Sequence, residues 1–258
     1  MADFFDQICK VILESDSRKP GTVSSDAVTA QFFQDVPKKN IPETVPVVKS
    51  VPERPLPAEP VSTARTEKVS GEADTLEKLR SALGDCRRCQ LCEQRNNIVF
   101  GEGNPHAQLM FIGEGPGFDE DKQGRPFVGR AGELLNKMIR AMQFTREEVY
   151  IANIVKCRPP QNRVPMPDEV EKCLPFLKKQ IDIIRPEVIV LLGSTAAKNL
   201  LNITTGISAL RGRWTSFENI SVMPTFHPAY LLRNESAKKD AWQDLQKVMA
   251  RFGKYHKA

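Results

Sequence analysis

The side chains able to do chemistry fall into a few short stretches. Cys86-Arg87-Arg88-Cys89 is a C-x-x-C pair, and Cys157 and Cys173 lie farther along. Two-residue spacing lets both thiolates of the first pair face one centre, whereas the second pair must be brought together by the fold. Four thiolates suit either a structural zinc ion or a 4Fe-4S cluster, and spacing leaves both open. Cys92 competes for a ligand place, Cys9 stands apart near the N-terminus, and the plainest reading is a set of unrelated thiols. Gly113-Glu114-Gly115-Pro116-Gly117 is a loop whose glycines let the backbone come close to a ligand. It matches neither G-x-G-x-x-G nor a P-loop. Gly124-Arg125-Pro126-Phe127-Val128-Gly129 sets a ring in a loop, either as packing or as a stacking platform for a base. Asn153 either satisfies a loop or reads a hydrogen-bonding edge. His227 opens His227-Pro228-Ala229-Tyr230-Leu231-Leu232-Arg233 and is one of only three histidines.

The elements that must position these groups are legible as periods. Four apolar runs, Gln108–Gly113, Val149–Val155, Glu187–Gly193 and Ile220–Phe226, read as strands covered on both faces. Between them, Leu134, Leu135, Met138, Ile139 and Met142 recur at helical spacing within Gly132–Gln143. Further helices are expected from Thr75 or Asp74 to Leu83, from Pro167 or Asp168 to Ile184, over Thr195–Leu201 capped by Ser194, and over Ser236–Phe252. Strand–helix alternation predicts an α/β domain with right-handed crossovers. The glycine loop, Asn153 and His227 then stand at the carboxyl ends of strands, where open parallel sheets bind ligands.

A chain of 258 residues holds one or two domains. Residues 73–258 carry the globular pattern. Residues 19–72 are punctuated by Pro20, Pro37, Pro42, Pro46, Pro52, Pro55, Pro57 and Pro60 and are expected to be a disordered linker. Within residues 1–18, Phe4, Phe5, Ile8, Val11 and Ile12 outline a short amphipathic helix, read either as a frayed tail or as a dock for an unknown protein or for the main domain. The net charge of +5 suits a polyanion but is weak support alone. With no apolar run long enough for a membrane span and no secretory leader, a cytoplasmic chain with reduced thiols is expected.

Taken in order, GEGPG, GRPFVG, ANIVKCRPP, Cys173, LRGRW and HPAYLLR resemble the family 4 uracil-DNA glycosylases, the iron–sulfur branch of their superfamily, over roughly Leu79 to Val248. The resemblance implies a three-layer α/β/α sandwich on a four-stranded, mainly parallel sheet. It implies a structural 4Fe-4S cluster on Cys86, Cys89, Cys157 and Cys173, with Cys92 outside the ligand set. It implies a nucleoid-associated monomer that hydrolyses the bond between uracil and deoxyribose in single- or double-stranded DNA. Reaching that bond requires flipping the nucleotide into a pocket. Phe127 is expected to stack on the base, which tolerates any base, so Asn153 must supply specificity by accepting from uracil N3–H and donating to O4. The backbone of Gly113, Glu114 and Gly115 is expected against the uracil, and His227 as a donor toward O2, where charge develops on departure. A related family with a Gly-Gln-Asp-Pro loop places an aspartate beside the attacking water, where this chain has Gly115. Glu114 and Glu120 are the candidates to orient water or stabilise the sugar cation, and Asp119 and Asp121 read as a solvated acidic face. Leu231 and Leu232 are expected to wedge into the space left by the base, and Arg233, with Arg130, Arg158 and Arg163, to contact phosphates.

Two rivals remain. One is a glycosylase for hypoxanthine or mismatched thymine; with Gly117 at the loop end, Phe118 would have to exclude a 5-methyl group. The other is a uracil-DNA binding protein that traps its product covalently. The branch known for that carries a Lys-Arg-Arg-Ile-His loop, and Ala209-Leu210-Arg211-Gly212-Arg213-Trp214 has no histidine.

Overall fold

The computed structural model of the chain describes residues 75–255. The helix expected within residues 1–18 and the linker of 19–72 lie outside them. Six strands form one sheet: β1 (Glu102–Gly103), β2 (Leu109–Gly113), β3 (Tyr150–Asn153), β4 (Val188–Leu192), β5 (Thr215–Phe217) and β6 (Ile220–Thr225), in the order β1-β3-β2-β4-β6-β5. The four apolar runs are the parallel centre, β3-β2-β4-β6. The expected four-stranded sheet is corrected by two antiparallel edges, β1 on β3 and β5 on β6. At two and three residues, mostly exposed or half-buried, these edges carry no apolar run to betray them. Short edges of this kind are one way a sheet avoids pairing with other chains.

Period-two alternation sends successive residues of each central strand to opposite faces. Leu109 and Phe111 of β2, Val188 and Val190 of β4 and Met223 of β6 pack under α3 (Arg130–Ala141) and α8 (Ala237–Arg251). Met110, Ile112, Ile189, Leu191 and Val222 face the other way, against α1 (Leu76–Leu83), α4 (Pro167–Ile184) and α5 (Ser194–Leu201). Two cores on one sheet make the three expected layers. Burial of each such side chain contributes about 1.5–3 kcal/mol.

The caps follow local chemistry. Thr75 Oγ1 accepts from Lys78 N at 3.2 Å and opens α1. Ser194, expected as a cap, is instead the first residue of α5, and the cap is Gly193 at φ +90°. A Cβ on Gly193 would lie 2.9 Å from the Cβ of His227, so glycine is what lets the β4 and β6 ends converge there. Among the described residues, three further short α-helices, α2 (Phe118–Gln123), α6 (Ile207–Leu210) and α7 (Pro228–Leu231), follow β2, α5 and β6 in the chain.

Candidate active site

The carboxyl ends of β2, β3 and β6 bring the expected groups together. Gly113 pairs with Asn153 in the ladder, and Ile154 N and Val155 N continue it by donating to the carbonyls of Gly113 (3.0 Å) and Glu114 (3.2 Å). A cavity of about 520 Å³ opens there, and Glu114, Gly115, Phe127, Asn153, His227 and Arg233 are among its lining residues. Gly113 packs directly against two of these lining residues: a Cβ would sit 2.5 Å from Asn153 Oδ1 and 2.6 Å from Phe127 Cζ. Asn153 is 1% exposed, and its Oδ1 has no hydrogen-bond partner among the described residues. Such an atom costs about 1–3 kcal/mol until a donor arrives.

Phe127 is held rather than relaxed. It adopts φ +51°, which a non-glycine residue tolerates only when its surroundings fix it. Arg146 supplies the hold, donating to the Phe127 carbonyl at 3.3 Å, to the Pro126 carbonyl at 2.5 Å and to Asn136 Oδ1 at 2.8 Å. Glu102, bonded by Arg125 and held below the usual carboxylate range by it, anchors Arg146 in turn. The Phe127 ring is 5.7 Å from the His227 ring. Sequence reasoning missed Arg146, which lies in no motif.

The two candidate carboxylates differ. Glu120 Oε1 accepts from Val128 N (2.9 Å) and Gly129 N (3.0 Å), and Oε2 from Gly117 N (3.1 Å). It therefore joins the two loops that frame the cavity, and its oxygens are largely committed to the backbone. Glu114 lines the same cavity without a side-chain hydrogen bond among the described residues. Asp121 is a correction: it is fully buried, accepting from Asn96 N (2.9 Å) and Asn97 N (3.2 Å), not solvated. Asp119 is exposed at the cavity.

Burial, reinforced by the nearby Arg233 charge, pushes the His227 imidazole down to about 4, against a smaller pull from Glu120. The ring is therefore neutral at pH 7. Its Nδ1 accepts from Ala229 N at 3.1 Å, so the hydrogen-bond pattern assigns the single proton to Nε2.

The following turn departs from expectation. Leu231 is 2% exposed, packed in the core beside Leu134, Met138 and Trp242, and Leu232 packs partly against that core. Leu231 is thus unavailable as a wedge. The apolar side chain of this turn that faces solvent is Tyr230, 40% exposed. Of the expected phosphate contacts, Arg163 is tied to Glu169 at 2.6 Å and Arg158 to Asn162 at 2.7 Å, whereas Arg130 and Arg233 have no such partner among the described residues.

The four cysteines gather away from this cavity, against the core beneath α4. They lie close enough for Cys86, Cys89, Cys157 and Cys173 to influence one another's charge. Burial pushes the Cys157 thiol up to about 12 against the pull of Arg95, and raises Cys173 against that of Lys156. Donors face three of the sulfurs: Arg88 toward Cys86 (3.2 Å), Arg95 toward Cys157 (3.3 Å) and Lys156 N toward Cys173 (3.3 Å). Arg95 also bonds Asp85 (2.6 Å) and the Cys86 carbonyl (2.8 Å), stapling the 85–95 segment to Cys157. No three His, Cys, Asp or Glu groups among the described residues form a ready single-ion site. Lys156, 1% exposed, donates to the Asn153 carbonyl at 2.9 Å and to Gln180 Oε1 at 2.6 Å. This strut between the cysteine region and the cavity also went unread in the sequence.

Comparison with known proteins finds the family that this sequence resembles along most of its described length. The Uracil DNA glycosylase superfamily matches residues 100–246. The Type-4 uracil-DNA glycosylase of Thermotoga maritima is 46% identical over 181 residues, covering 68% of this chain and 93% of that one. That of Sulfurisphaera tokodaii is 45% identical over 184 residues, covering 68% and 84%. That of Archaeoglobus fulgidus is 40% identical over 189 residues, covering 70% and 95%. With its strand-end cavity and this similarity along most of the relatives' length, the chain belongs to the uracil DNA glycosylase superfamily, among the type-4 enzymes.

Proposed function

We propose that this chain is the DNA-repair hydrolase its family membership indicates, releasing uracil from DNA and leaving an abasic site. The observation that carries the reading is the unpartnered, buried Oδ1 of Asn153 at the back of a cavity that also holds the Phe127 ring and a neutral His227. An amide fixed there accepts from uracil N3–H and donates to O4. Cytosine lacks that N–H and presents a donor at position 4, leaving mismatched groups at a cost of about 1–3 kcal/mol. Phe127 stacks on the flipped base. The backbone of Gly113–Gly115 lies against it, the two glycines having no side chain to intervene.

Cleavage of the C1′–N1 bond leaves the electron pair on the uracil ring, chiefly at O2. The Nε2–H of His227 donates to that oxygen as charge develops, stabilising the transition state more than the ground state. Water then attacks C1′ from the opposite face. Glu114, whose carboxylate is uncommitted, orients that water or stabilises the sugar cation. Glu120 acts by holding the loops. Arg233 and Arg130 contact phosphates, and Leu232 contributes apolar surface at the turn. One chain supplies every group, so the enzyme is read as a monomer. Its DNA substrate accords with a nucleoid-associated, cytoplasmic location, and no helix among the described residues is long and apolar enough to cross a membrane.

The same proposal gives Cys86, Cys89, Cys157 and Cys173 a structural 4Fe-4S cluster. The donor set suits one: neighbouring sulfurs, N–H groups aimed at three of them, and the buried charges of Arg95 and Lys156 to balance thiolates. The cluster ties the 85–95 segment to α4, and no step of the hydrolysis passes through it.

The deciding assay is release of labelled uracil, thymine and hypoxanthine from single- and double-stranded oligonucleotides. Uracil release is expected, with Asn153→Ala and His227→Ala each cutting turnover sharply while the protein stays folded. No uracil release by the iron-loaded protein would sink the reading, and so would a wild-type rate in either variant for its residue.

A further inference from the structure

Two aromatic rings at the cavity mouth have no part in the chemistry above. Phe118 is 56% exposed and Tyr230 40%, both high for large apolar side chains, and both line the same cavity as Phe127, Asn153 and His227. Their outward faces are fixed from behind. Arg158 lies over one face of Phe118 at 5.1 Å and is itself held by Asn162, while more than half of the side chain remains exposed. Tyr230 rests against Phe226, ring centroids 5.0 Å apart, and its N–H donates to the His227 carbonyl at 2.9 Å. Each ring is thus backed on one side by a neighbour. The volume of about 520 Å³ falls within the roughly 300–1,000 Å³ of sites for drug-sized ligands, far more than one pyrimidine needs. Arg130 and Arg233 line it too, alongside the carboxylates of Glu114 and Asp119, so the cavity offers phosphate contacts only on its arginine sides.

Exposed rings interleaved with arginines are the construction by which proteins hold unpaired bases, because every base has a π-face. The alternative device, an aliphatic plug in the stack, has little to offer here, since Leu231 is buried and Leu232 packs partly against the same core, whereas the two rings stand exposed. We propose that Phe118 and Tyr230 are stacking walls for the nucleotides on either side of the flipped uracil, and that they suit the site to single-stranded DNA. In a duplex those neighbours would first have to leave their own stacks. The inference rests on the proposed uracil pocket and adds a rim to it.

The test uses iron-loaded, full-length protein and oligonucleotides in which 2′-fluoro-2′-deoxyuridine, which resists cleavage, adjoins 2-aminopurine. On single strands, binding is expected to change the 2-aminopurine fluorescence, and the change should vanish when the probe is moved several nucleotides away. Phe118→Ala and Tyr230→Ala should each weaken single-strand binding about 5- to 150-fold, the equivalent of roughly 1–3 kcal/mol per stacked base. Tyr230→Leu keeps the contact with Phe226 but loses the π-face and should behave like Tyr230→Ala, while Tyr230→Phe should restore binding. Unchanged fluorescence on binding, wild-type affinity in Tyr230→Leu, or losses confined to duplex DNA would each overturn the proposal. Uracil release by the wild type from matching cleavable strands is measured separately. Its failure would count against the activity, and its success with no stacking signal would count against the rim alone.

Discussion

Replacing Glu120 by glutamine separates a carboxylate that holds loops from one that acts on water. In the native site one oxygen accepts from Val128 N and Gly129 N and the other from Gly117 N, at 2.9, 3.0 and 3.1 Å. Glutamine has a single accepting oxygen. Its best arrangement keeps that oxygen on Val128 and Gly129 and turns the amide NH₂ toward Gly117 N–H, donor against donor. One charge-assisted bond is lost, about 1.5–3 kcal/mol, and the remaining two fall to neutral strength. A total of roughly 2–4 kcal/mol corresponds to a fall in unfolding midpoint of roughly 5–15 °C for a domain this size. The loop bearing Phe127 is joined through this carboxylate, so KM for uracil-containing DNA should rise more than kcat falls. Glu120→Asp, too short to span all three donors, should fall between. Thermal unfolding and steady-state kinetics on the same preparation decide. A variant that unfolds with the wild type yet loses more than about a hundredfold in kcat at unchanged KM would place the carboxylate on the reacting atoms and refute the reasoning.

For His227, a neutral ring held at about 4 predicts uracil release that stays level from pH 7 to below 6, with the acid limb near 4; a limb centred at 6.5 would contradict the depressed imidazole. The sign for stability follows from the same shift: the unfolded ring takes a proton at 6.5 and the folded ring resists, so stability falls as pH drops from 6.5 toward 4, by about 3 kcal/mol at most, measurable by denaturant unfolding. Arg146→Ala frees the carbonyls of Pro126 and Phe127 and should cut kcat/KM about 10- to 100-fold, equivalent to one or two lost charged hydrogen bonds; unchanged efficiency would show that Phe127 holds its backbone unaided. Arg95→Met removes the bonds to Asp85, Cys86 and Cys157, and its purified protein should carry less iron per chain and a paler brown colour; full iron content would show the staple to be dispensable.

What the sequence made legible was whatever repeats or punctuates. The four central strands announce themselves as apolar runs, and Asn153 and His227 stand at or just past their ends. The glycine loop is readable because a missing side chain is visible in the letters. What escaped reading depends on partners distant in sequence. Glu120 looks like a free acid until the N–H groups eight and nine residues on are seen to fill its oxygen. Asp121, its neighbour, looks equally solvated, but two asparagines from the segment before β1 close over it. Leu231 suggests a wedge by its place after His227, yet the single turn of α7 rotates it inward and leaves Tyr230 outside. Lys156 stands directly after an apolar run, with nothing in the letters to mark it as buried, because its acceptor Gln180 lies on α4 and follows no period of its own.

The absent side chain at Gly113 also bears on how this enzyme can change over generations. Behind the cavity the main chain at Gly113 is bare, with Asn153 and Phe127 already occupying the space any larger residue would claim. Drift at that position therefore has no small steps available, since the smallest possible addition already collides with both base-handling residues. A change in the base accepted therefore falls to the side chains that Gly113 leaves room for, first of all Asn153, which reads the edge of the base. The depth of the site is inherited with the backbone, and its preference is written by the side chains that the bare glycine lets in.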